Sequence, residues 1–81
     1  MNTGMLWFDN DPRTALNSKV ERAADYYRQK YGLIPDLCLV HPTMLAQTHP
    51  EFVEARAGKV AVRANRAILP GHLWIGAEDK H

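Results

Sequence analysis

Two carboxylates close together, Asp9 and Asp11, and two histidines, His41 and His72, are the residues of this 81-residue chain best equipped for chemistry. Carboxylates and imidazoles that converge can hold a divalent cation or act as acid and base, the equipment of a metal-assisted hydrolase or nuclease. They converge only if the segments ending at Asp9 and His41 are parallel strands with a common carboxyl edge, where open α/β sheets bind ligands. Asn10, Asn65 and Arg66 would share that edge. A plainer assignment is local. Asp9 and Asp11 are what a turn and a helix cap require, and His41, just before Pro42, can hydrogen bond a carbonyl. No histidine or cysteine spacing follows a zinc pattern.

Cys38, the only cysteine, sits in the most apolar run of the chain, Leu37-Cys38-Leu39-Val40. A nucleophilic thiol needs a lowered pKa and access to solvent, so this one reads as an inert core residue. Lys59 and Arg63, with Arg56 and Arg66, form a basic grouping. On a strand, Lys59 and Arg63 share an outer face, and beside Trp74 that face would suit single-stranded nucleic acid, by charge and stacking. A solvated face whose long side chains cover the indole is the simpler explanation. Finally, Trp7, Phe8, Trp74 and the loop Ile68-Leu69-Pro70 place large apolar groups where a small domain must either bury them or present them to a partner.

The elements that position these residues follow from periodicity. Met5-Leu6-Trp7-Phe8 reads as a strand ended by Asp9-Asn10-Asp11-Pro12. Leu16, Val20, Ala23, Tyr27 and Tyr31 recur at helical spacing, with Ala24 widening the stripe and Lys19, Arg22, Asp25, Arg28 and Gln29 on the polar side. Asp11 and Pro12 supply start signals, Ser18 to Glu21 fits a capping box for a later start, and Gly32 supplies a stop. Residues 37–41, bounded by Pro35 and Pro42, read as a central strand buried on both faces. Leu39 is therefore expected in the core, and its truncation to alanine is expected to cost about 2–5 kcal/mol. Residues 42–46 can form a single turn. Thr48, His49 and Pro50, followed by Glu51 and Glu54, predict a short second helix ending at Gly58. Lys59 to Asn65 alternates as a half-exposed strand, and His72 to Ile75 forms a last strand paired with it as a hairpin, followed by a polar tail from Glu78 to His81.

The fold expected is a single small α/β domain over residues 1–81, in the order β-α-β-α-β-β. It has a mixed four-stranded sheet, one long helix and one short one. An apolar share of 46% excludes disorder, and no apolar run reaches the roughly 20 residues of a membrane helix. A net charge of +1 gives no general attraction to nucleic acid or anionic lipid. Without a signal-like start, the expected location is cytoplasmic, with no membrane contact. Function is expected to be that of a non-enzymatic interaction module without a cofactor. It would bind a protein partner or itself as a homodimer through Arg66, Ile68, Leu69 and Trp74. The alternatives are the hydrolase or nuclease at Asp9, Asp11, His41 and His72, and a nucleic-acid-binding module using Lys59, Arg63 and Trp74.

Overall fold

The first apolar run becomes strand β1 (Thr3–Phe8). The computed structural model to which it belongs describes residues 3–45, 51–56 and 58–77. Helix α1 (Leu16–Tyr31) follows, with Val20, Ala23, Ala24 and Tyr27 fully buried along the stripe that their spacing predicts. Gly32 ends the helix in the left-handed region at φ 69°, its N–H donating to the Arg28 carbonyl at 2.8 Å. The start differs from expectation. Ala15 is the N-cap, and its methyl group can make no side-chain bond; the Asp11 carboxylate serves the preceding turn instead. There it accepts from the Arg13 N–H at 2.9 Å and the Thr14 hydroxyl at 3.1 Å. Lys19, assigned by periodicity to the polar side, is only 7% exposed. Its ammonium reaches back to the end of β1 and donates to the Asp9 carbonyl at 3.0 Å, a partner ten residues away that helical spacing does not reveal.

The remaining strands are β2 (Leu37–Val40), β3 (Phe52–Ala55), β4 (Gly58–Ala64) and β5 (His72–Ala77), with a 3-10 turn at Pro42–Met44. Together with β1 they form one mixed five-stranded sheet in the order β1-β5-β2-β4-β3. The central position of β2 is as expected. Two other expectations are corrected. The predicted second helix is replaced over its described part by β3, so the described residues form one α-helix and five strands, not two and four. Phe52 and Glu54 are exposed while Val53 is buried, and this alternation lets the segment pair with β4 along its whole length. Tertiary pairing here overrides the local helix-start signals. Thr48, His49 and Pro50, and the tail from Glu78 to His81, lie outside the described residues.

The second correction concerns β5, which does not pair with β4. It lies between β1 and β2, antiparallel to both. That position places Leu73 and Ile75 in the middle of the sheet, where both are fully buried. Because β5 opposes both neighbours and β2 runs parallel to β4, strands β1, β2 and β4 point the same way. The β1-α1-β2 crossover therefore straddles β5. Helix α1 packs against β5 and β3, and its buried stripe closes the core with Cys38, Val40, Val53, Val60, Val62, Leu73 and Ile75. No helix among the described residues is long and apolar enough to cross a membrane.

Candidate functional site

The carboxyl ends of β1, β2 and β4 share one edge of the sheet, and β5 begins there with His72 in register with Phe8. The four candidate ligands are thus near one edge, but each is engaged locally. The Asp9 N–H donates to the Gly71 carbonyl at 2.9 Å, and Asp9 Oδ1 accepts from the Asp11 N–H at 3.1 Å. The same oxygen lies 3.9 Å from Lys19 Nζ. Asp11 is held below its ordinary value of 3.8, first by the Arg13 backbone N–H and then by the Thr14 hydroxyl. His41 Nδ1 accepts from the Thr43 N–H at 3.2 Å and lies 2.8 Å from the Thr43 hydroxyl, capping the 3-10 turn. The His72 ring packs on Phe8 with centroids 4.9 Å apart. A cleft of about 360 Å³ runs between the start of α1 and the 3-10 turn, lined by Asp11, Thr14, Lys19 and Thr43 among others. Among the described residues, no three of His, Cys, Asp or Glu gather as a metal centre. Cys38 is fully buried, and burial pushes its thiol up to about 12, leaving it protonated at neutral pH.

A different surface emerges on the face of the sheet away from α1. Residues directly opposite on neighbouring strands point to the same face. One row therefore crosses the sheet as Leu6, Trp74, Leu39 and Arg63, and a second as Gly4, Gly76, Leu37, Ala61 and Phe52. Leu6 is 62% exposed, Phe8 61% and Phe52 47%; Leu37, Leu39 and Trp74 are half-buried. Trp74 lies flat over Gly4, where a Cβ would run into Cζ2 and Cε2 of the indole. Glycine at position 4 is thus what lets the ring lie against the strand.

Leu39 belongs to this face, which corrects its expected place in the core; Cys38 and Val40 are the β2 residues that α1 covers. Strand β2 is apolar on both faces because it faces the core on one side and this surface on the other. Lys59 and Arg63 share the face with Trp74, although β2 lies between their strand and β5, so Trp74 is not on the neighbouring strand. The Lys59 ammonium sits 5.0 Å from the Phe52 ring centroid.

The loop leading to β5 turns on Asn65, whose Oδ1 accepts from the Ala67 N–H at 2.8 Å. Arg66 is exposed, Ile68 half-buried and Leu69 67% exposed. Leu6, Leu37, Leu39 and Phe52 stand outside the partner residues expected from the sequence, although apolar side chains on both sides of β1 and β2 carry the signal; Phe8 is among the groups the sequence leaves open between core and contact. Comparison with protein-family models, curated proteins and solved structures gave no match for this chain.

Proposed function

We propose that this domain is a non-enzymatic interaction module that docks a protein, a second copy of itself included, on the helix-free face of its sheet. The observation that carries the reading is the row Leu6-Trp74-Leu39, flanked by Phe8, Leu37 and Phe52 and covered by no described element. Apolar patches of this kind on a small domain mark contact sites, and tryptophan is enriched at their centres. Leu69 and Arg66, exposed in the loop before β5, extend the surface at its carboxyl edge.

Single-stranded nucleic acid is the competing ligand, favoured by Arg63 and by Lys59 over Phe52. Two features weigh against it. Trp74 stands between Leu6 and Leu39, so no continuous run of rings crosses this row for successive bases to stack on. Positive charge is confined to the β4 side, where Glu54 stands opposite Lys59.

The test is a photo-crosslinking amino acid at position 39, with position 22 on the polar side of α1 as control, in the cell that makes the protein. Discrete protein adducts at 39 and not at 22, re-formed with the purified partner and lost on Trp74→Lys, are expected. No adduct above the control, or adducts to nucleic acid only, would overturn the reading.

A further inference from the structure

The two edges of the sheet are built differently. The β3 edge is four residues long and carries Glu54, with Glu51 and Arg56 flanking it. Short length and charge are the usual protection of an edge against pairing with another chain. The β1 edge is six residues long, and from Gly4 to Phe8 it has no charge and no proline.

Its outward hydrogen-bonding groups can be assigned. The Asp9 N–H donates to the Gly71 carbonyl, a pair in register with the β1-β5 ladder, whose partners include Phe8 with His72. In an antiparallel ladder, hydrogen-bonded pairs alternate with non-bonded ones. Met5 and Trp7 therefore bond toward β5, while the N–H and C=O groups of Gly4, Leu6 and Phe8 point away from the sheet.

We infer that β1 pairs antiparallel with β1 of a second copy of this chain, about a two-fold axis between the two Leu6 residues, joining two five-stranded sheets into one of ten strands. A strand paired antiparallel with itself is automatically complementary, so a single unprotected edge suffices for a closed dimer. In the centred register Leu6 meets the partner's Leu6, and Gly4 and Phe8 each meet the other on the opposing strand. The three outward residues of each copy donate one bond apiece, six in all. On the open face the two exposed Leu6 side chains cover each other. Each Phe8 lies opposite the partner's Gly4, the glycine on which an indole already rests. The pairing concerns the edge, and it stands whether or not the open face takes another protein.

The deciding variant is Leu6→Pro. Its lost N–H is one that points outward, and proline is tolerated on an edge strand at such a position, so the monomer keeps its ladder to β5. Sedimentation from the micromolar into the millimolar range should find wild type moving from monomer to dimer, with Leu6→Pro monomeric throughout and Leu39→Lys, on the same face but away from the edge, still dimeric. Amide hydrogen exchange is the second readout: Leu6 protection should rise with wild-type concentration, in step with the dimer. A monomeric wild type at every concentration overturns the inference. So does a dimer whose Leu6 amide exchanges freely. A dimer abolished by Leu39→Lys but kept by Leu6→Pro also overturns it, and assigns self-association to the open face, leaving the proposed function intact.

Discussion

The two faces of the sheet are made of similar side chains and differ in what lies over them. Under α1, Cys38, Val40, Leu73 and Ile75 are completely buried against Val20, Ala23, Ala24 and Tyr27. On the other face, Leu6 and Phe8 on β1 and Phe52 on β3 keep about half or more of their surface in water. One helix of 16 residues is the only α-helix among the described residues, and it covers one side of five strands. A chain of this size has little spare apolar surface with which to build a second layer. Hydrophobic side chains therefore acquire their role from coverage, not from type. The same leucine is core on one side of β2 or β5 and contact surface on the other.

Leucines on the adjacent strands β5 and β2, one on each face, give the largest test of this contrast. Leu73→Ala should cost about 2–5 kcal/mol in chemical denaturation, because the site is fully enclosed and cannot collapse freely. Leu39→Ala, half-buried on the open face, should cost about 1 kcal/mol or less, nearer the surface scale. Equal costs would mean that both faces are core.

A smaller effect is expected at the junction of β1 and α1. Lys19→Ala removes the donor to the Asp9 carbonyl and leaves a part-buried acceptor with one fewer partner, at about 1–3 kcal/mol. Thermal or denaturant unfolding measures it, and a neutral outcome would show that water replaces the amine.

A pH effect confined to the covered face appears only under alkaline conditions. The Cys38 thiol is raised from 9.0 to about 12 by burial, so the folded state holds its proton more tightly than the unfolded one. The stability this contributes is complete below pH 9.0 and is lost as pH rises toward about 12. Cys38→Ala should flatten that alkaline slope, and a thiol reagent should modify native Cys38 only at the rate of unfolding. Fast modification of the folded protein would show that the covered face is open to solvent.

Much of this arrangement was legible in the sequence. The α1 stripe, its stop at Gly32 and the central apolar strand all come from local periodicity and turn chemistry. What escaped depends on partners distant in the chain. Strand β3 is a four-residue alternation hidden behind helix-start acids. The insertion of β5 between β1 and β2 leaves no local trace, since alternation specifies a face and not a neighbour. The open face was read as core because an apolar run does not say which of its sides is covered. Trp74 and Arg63 share one surface, though not on neighbouring strands as expected; the sequence leaves Phe8 open between core and contact, while Leu6 and Leu39, which extend the surface, look like core residues.

The openness of that face is the claim on which the rest depends, and Trp74 reports it. Trp7 is the other tryptophan, and its buried indole N–H has no partner among the described residues, so Trp7→Phe removes no hydrogen bond and leaves Trp74 as the sole indole. The measurement is acrylamide quenching of this variant at high dilution and again after association. The expected result is a water-exposed emission that is quenched in the dilute protein and becomes protected when the face is occupied. A blue-shifted indole that acrylamide cannot reach at any dilution would contradict it, because the face would then be covered by the chain itself.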